Sequence, residues 1–202
     1  MSRDPTRAAT QFFGGRVCLD FANTLDWRTS DEPQELIADY RAFIAWSSRR
    51  GTLTAQAATS LKWRAAADPG GAEAVMAEAL LLRAEIWKIA DTLRGRRVAD
   101  VTTVNKMLAA LPPQPRLLKQ GNVYIYDLSG RELREPLWPV LWSLTAVLSS
   151  SDATRLGCCQ AKGCGWFYVD ESPNRTRLWC SSEVCGNRER ARRAYAKRGS
   201  TK

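Results

Sequence analysis

The 202-residue sequence contains no histidine. That absence removes the commonest general base and a leading zinc ligand, so a metal site here must rest on cysteine, with carboxylate a weaker fallback. No apolar run reaches 18 residues, and no transmembrane helix is expected. The N-terminus, MSRDPTRAATQFF, lacks an apolar segment of signal-peptide length, which predicts a cytoplasmic protein whose thiols stay reduced. Neither a nucleophile motif nor a glycine-rich phosphate loop is present, so the chain is not expected to be an enzyme; a carboxylate-based active site stays open. Internal repeats are also missing.

What the sequence does have is six cysteines and a net charge of +9. Cys159 and Cys164 are separated by four residues, as are Cys180 and Cys185, and fifteen residues lie between the pairs. In a reducing compartment this spacing points to metal. Four thiolates close a structural zinc tetrahedron. They can also hold an iron–sulfur cluster. A redox pair would use two intervening residues beside a βαβ pattern, and neither occurs here. Cys158 adjoins a ligand and should point away; Cys18 lies far off as a buried thiol.

From Arg155 to the end the chain carries eleven Lys/Arg against four Asp/Glu, so nearly all the excess charge sits on its last quarter. A concentrated basic patch is the footprint of a nucleic-acid binder; the competing reading is a solvated tail. On a helical wheel Val184, Ala191, Ala194 and Tyr195 form one side, expected to pack on Trp166 and Trp179. Arg190, Arg193 and Lys197 lie opposite, with Arg188 and Arg198 flanking the apolar stripe. Arg175, Arg177, Asn187 and Arg192 complete the candidate nucleic-acid contacts.

The fold class expected is α+β: a mainly helical domain over residues 1–151 with a few short strands, then a small treble-clef-like zinc module over 152–202 ending in a basic helix. Residues 1–11 are polar and expected to fray. Val17, Leu19 and Phe21 alternate with Cys18, Asp20 and Ala22, which predicts a short strand. Helices are expected at about 34–50 with Pro33 at the start, 54–67, 72–94, 101–110 (ended by Pro112-Pro113) and 137–150, with Asp68-Pro69-Gly70-Gly71 as a break. Residues 116–128 read as a β-hairpin turning at Gln120-Gly121-Asn122. In the module, residues 166–169 and 177–179 are expected to pair as strands.

The string CxxxxC-GWFYVD-S-NR-R-WC-S-xxCGNR resembles the CGNR zinc finger, named for Cys185-Gly186-Asn187-Arg188. FFGGRVCLDFANTLDWR, followed by ELIADYRAFIAW, resembles the ABATE domain that precedes this finger in many bacterial proteins. The resemblance covers the domain order of the chain, and between about residues 52 and 150 it is one of pattern. It implies zinc on Cys159, Cys164, Cys180 and Cys185, and a stress-induced bacterial transcription regulator whose finger binds DNA while the ABATE domain senses or dimerises. The extra Cys158 departs from the family pattern.

The expected partner is therefore DNA, with no membrane, and with a homodimer and a small-molecule effector as further candidates. A pocket built by Asn23, Asp26 and Arg28 would suit an anionic effector; in the competing reading these side chains satisfy backbone groups. The rival functions are a zinc module that binds RNA or a protein, and a small-molecule-binding or enzymatic N-terminal domain.

Overall fold

Every residue from Cys18 to Ala22 is buried, and this decides the first element. The computed structural model describes residues 11–111 and 116–199, with the side chains of Gln120 and Arg198 also left out of the description. Residues 1–10, Pro112-Pro113 and the Arg198 side chain, all singled out in the sequence, thus lie outside the described residues. Val17–Ala22 forms a helix, α1, where alternation suggested a strand. Alternation signals a strand only when one face meets water. Here both sets point inward. Asp20 tolerates burial because its carboxylate accepts Gly14 N–H at 2.8 Å and Arg50 Nε–H at 2.7 Å.

Two short strands follow, β1 (Leu25–Asp26) and β2 (Gln34–Glu35), paired antiparallel. The helix expected from residue 34 starts later, as α2 (Tyr40–Arg50). Two interactions override the apolar pattern. Asp39 caps the helix by accepting Ala42 N–H at 2.7 Å. Glu35 is drawn onto the buried Arg83, which donates to its two oxygens at 2.8 and 2.5 Å. Burial raises the Glu35 carboxyl, but the hydrogen bonds from Arg83 outweigh it and leave the group below its usual range.

Thr54 caps α3 (Ala55–Ala67), which buries Leu61 and leaves Trp63 exposed. The expected break narrows to Asp68, and residues 69–71 already belong to the next helix. Asp68 accepts Gly71 N–H at 2.9 Å, and Pro69 occupies the first position, where its missing donor costs nothing. That helix, α4 (Pro69–Arg94), buries Val75, Ala79, Leu82, Ile86 and Ile89 along one stripe. Then come α5 (Thr102–Ala109) and a hairpin of β3 (Leu117–Gln120) and β4 (Val123–Tyr126) in register Gln120↔Val123. A short 3₁₀ turn leads into α6 (Trp138–Leu148). The buried Glu135 carboxylate organises this entry by accepting the N–H groups of Gly130, Arg131 and Glu132.

The C-terminal part opens with a second 3₁₀ turn, Ser151–Arg155, and then pairs β5 (Leu156–Cys158) antiparallel with β6 (Phe167–Val169). The strand expected at residues 177–179 does not form. Leu178 offers one carbonyl, to Gln160 N–H at 3.0 Å, while Arg177 is tied down through its side chain. One π-helical turn, Ser182–Gly186, then leads into α7 (Asn187–Gly199).

The hydrophobic core crosses residue 151 without a gap. α1 packs on α4, α6 and β6. Phe167 and Val169 belong to the same core as Phe21, Leu82 and Leu141, and Phe167 is fully buried. The other edge of β6 is covered too, since Val169 N–H donates to Gly14 O at 3.0 Å. The β5–β6 pair is therefore a wall of the helical body as well as the base of the cysteine module. Phe167→Ala should remove about 3–5 kcal/mol of stability, the usual cost of an aromatic-to-alanine change in a closed core. Urea unfolding followed by tryptophan fluorescence should show this as one shifted transition; an unshifted midpoint would contradict the shared core.

Candidate metal centre and basic helix

The β5–β6 turn carries the first cysteine pair. Cys159 N–H donates to Trp166 O at 2.8 Å, and Cys164 N–H closes a tight turn onto Ala161 O at 3.0 Å. Gly163 and Gly165 hold left-handed backbone here, with φ of +80° and +68°. A Cβ at Gly165 would lie 2.5 Å from the Thr29 side chain, so the turn is seated against the segment after β1. The second pair sits at the helix root. Ser181 caps the π turn by accepting Val184 N–H, and that turn carries Cys185.

The four sulfurs converge. All lie within 4.8 Å of one another and all four residues are buried. Three measured separations are 3.8 Å for Cys164–Cys180, 3.4 Å for Cys180–Cys185 and 3.7 Å for Cys164–Cys185. A disulfide would need about 2.05 Å. Zinc–sulfur bonds of about 2.3 Å in a tetrahedron place sulfurs about 3.8 Å apart, so the set fits one zinc ion. Hydrogen bonds from the other three thiols hold Cys159 far below the usual thiol range, and the same crowding pushes Cys164 and Cys180 far above it. Four sulfurs this close become thiolates together only around a cation. Cys158 points to the body side of β5 and Cys18 is fully buried; burial raises both thiols, the latter to about 12.

Several residues expected at nucleic acid are instead engaged within the molecule. Arg177 donates to the carbonyls of Trp179 (2.9 Å), Val169 (3.2 Å), Phe13 (3.0 Å) and Cys180 (2.5 Å). Its guanidinium also stacks 4.1 Å over Tyr168. Arg188 lies 4.2 Å over the Trp27 ring and donates to Cys185 Sγ at 3.6 Å. It thus joins the metal centre to the loop after β1. Four thiolates around a divalent ion carry a net double negative charge, which this guanidinium partly balances. Arg192 pairs with Glu189, which is 3% exposed and also accepts Lys162 N–H at 3.1 Å. Burial raises the Glu189 carboxyl; these donors outweigh it and leave the group below its usual range.

The rest of α7 faces outward. Every residue from Arg190 to Lys197 is exposed, including Ala191, Ala194 and Tyr195, which the wheel placed against the tryptophans. The wheel finds the apolar side of a helix but not whether the chain supplies a partner for it. Here the helix packs on the π turn at its root and then projects from the body. Arg190 reaches back to Ser182 O and Asn187 Oδ1, which braces the first turn. Arg175 is exposed on the loop between the cysteine pairs.

Two of the three residues of the expected effector pocket, Asn23 and Arg28, hold the module to the body. The Asn23 carboxamide donates to Phe167 O and accepts Phe167 N–H, both at 2.8 Å, so it reads β6 like a neighbouring strand. Arg28 Nε donates to Gly165 O at 3.0 Å and its guanidinium stacks 4.5 Å over Phe167. Its backbone N–H donates to Cys164 O at 3.1 Å. Asp26 accepts the N–H of Trp27 at 2.8 Å. Asn23 and Asp26 thus satisfy backbone groups, as the competing reading of the sequence had it, while the parts played by the Trp27 ring and by Glu189 were not foreseen. Trp27 has φ of +53°, unusual for an aromatic residue, and no sequence pattern announces that.

Because the metal centre and the core share β6, removing zinc should destabilise the whole chain. A strong chelator should lower the thermal midpoint of the full-length protein and broaden its near-ultraviolet tryptophan dichroism together. Loss confined to residues 156–198, with an unchanged midpoint for the helices, would contradict this.

Comparison with known proteins agrees with these features. The ABATE family model, described as "Putative stress-induced transcription regulator", matches residues 15–151. The CGNR zinc finger model matches residues 155–198. A search of the curated proteins found no match. Among the described residues no helix is long and apolar enough to cross a membrane. With more than half its length covered by the first model and its four clustered cysteines by the second, the chain belongs to the ABATE family and carries a CGNR zinc finger with one structural zinc ion.

Proposed function

We propose that the protein is a DNA-binding transcription regulator. In this reading the zinc finger presents α7 to the duplex, and the ABATE region supplies the regulatory body. The observation that carries it is the projecting helix: its root is fixed by Cys185, and every residue from Arg190 to Lys197 is exposed. A 13-residue helix of this composition is marginal in water by itself. Docking in a groove lined with phosphates would supply the missing partner.

The contact surface proposed is Arg190, Arg193 and Lys197 along the helix, Asn187 at its root, Arg175 on the adjoining loop, and Arg198 at the far end. Arg177, Arg188 and Arg192 serve as the frame that aims this surface. Guanidinium groups on an exposed helix can contact phosphate or read guanine edges in the major groove. The exposed apolar hairpin, with Leu117, Val123 and Tyr124, is a surface on which the body could pair with a second copy.

Affinity for duplex DNA should fall with salt, with a logarithmic slope of about −3 to −4 if three or four phosphates are contacted. Reversing Arg190 and Arg193 to glutamate together should abolish measurable binding in a mobility-shift titration, with zinc content unchanged. Unchanged binding by that variant would overturn the reading, and tighter binding to structured RNA than to any duplex DNA would replace it with an RNA-binding module.

A further inference from the structure

Beside the metal centre lies a cleft of about 560 Å³. One wall is the loop after β1, with Trp27, Ser30 and Asp31. The other is the turn at Lys162 and the inner face of α7, with Arg188 and Arg192. The volume is in the range of small-molecule sites. It opens where the two family segments meet, and Arg188, the link between them, lines it.

The charges left over in this cleft specify a chemistry. Glu189 and Arg192 satisfy each other across the inner face. Arg188 is engaged by Trp27 and by the Cys185 sulfur. Glu32, which also lines the cleft, has a partner of its own. Two exposed charged groups remain whose side chains have no hydrogen bond or ion pair among the described residues: the Asp31 carboxylate on one wall and the Lys162 ammonium on the other. A ligand carrying only negative charge would meet Asp31, and one carrying only positive charge would meet Lys162. A ligand with one charge of each sign matches both walls. Between them Trp27, whose ring carries Arg188 on one face, adds apolar lining to the cleft.

We propose that this cleft binds a free amino acid as its zwitterion. The ammonium group faces Asp31, the carboxylate faces Lys162, and an apolar side chain lies beside the Trp27 indole. The site is adjacent to, and distinct from, the Asn23–Asp26–Arg28 cluster, in which Asn23 and Arg28 are engaged with the zinc module. Because Arg188 and Arg192 stand on the first turns of α7, occupation of the cleft bears on the root of that helix. The proposal needs no DNA and holds or fails independently of the regulator reading.

The test is isothermal titration calorimetry on the zinc-loaded full-length chain, with each of the proteinogenic amino acids and their N-acetyl and carboxamide derivatives. Saturable binding is expected for amino acids with apolar side chains, and roughly tenfold weaker binding for either blocked form, the size of one charge-assisted contact. Asp31→Asn and Lys162→Met should each weaken binding by a similar factor. Both residues are exposed, so zinc content and thermal midpoint should not change. Absence of saturable heat from every amino acid at millimolar concentration overturns the proposal. So does binding that survives both substitutions, or blocked derivatives that bind as well as the free zwitterion.

Discussion

Four sulfur atoms within 4.8 Å of one another set the geometry of the last quarter of this chain. Thiolates cannot share such a volume without a cation, and a cation of zinc's size fixes them in a tetrahedron. Two of the sulfurs lie in the turn between β5 and β6, and the fourth lies in the π turn at the root of α7. Closing the tetrahedron therefore fixes the direction in which α7 leaves the body. It also creates a buried negative charge, which explains why an arginine, Arg188, is placed against Cys185 and not left in water.

The zinc module does not stand apart from the helical body. Its hairpin lends Phe167 and Val169 to the helical core, while the body returns three grips: the Asn23 carboxamide on Phe167, Arg28 on Gly165 and the Phe13 carbonyl on Arg177. Each grip is a hydrogen bond to buried or half-buried backbone, the kind whose loss leaves an unsatisfied partner and costs about 1–3 kcal/mol. The interlock makes the finger a rigid platform, and rigidity is what lets one short projecting helix hold a fixed orientation.

Much of this was legible in the residues. Cysteine spacing together with the missing histidine identified all four ligands, because metal chemistry constrains sequence directly. Helix bounds were legible where a cap decides them, as at Thr54, and misread where the cap competes with an apolar pattern, as at Asp39, or with helix breakers in the first turn, as at Asp68 before Pro69-Gly70-Gly71. α1 was hidden because a helix buried on every side has no polar face to reveal its period. Arg177 and Arg188 read as surface cations because charge is counted along the chain, whereas their carbonyl, sulfur and aromatic partners come from residues far away in sequence. The exposed apolar flank of α7 was hidden for the opposite reason, since an amphipathic wheel implies a partner that the described residues do not supply. The Asn23–Asp26–Arg28 cluster stood out as a dense polar group, but only the fold shows that Asn23 grips β6 and Arg28 the turn before it.

In this account the metal, the interlock and the projecting helix form one mechanical chain, from the core at Phe167 through the sulfurs to the side chains that face outward. Its central claim is that the zinc module and the helical body open together. Native-state hydrogen exchange on the zinc-loaded protein tests it most directly. The Phe167 amide, donated to Asn23, should require the same opening free energy as the Asn23 amide, donated to Leu19 within the body. A Phe167 amide that exchanges at a clearly lower free energy than that of Asn23 would mean that the module opens by itself, and would contradict the account.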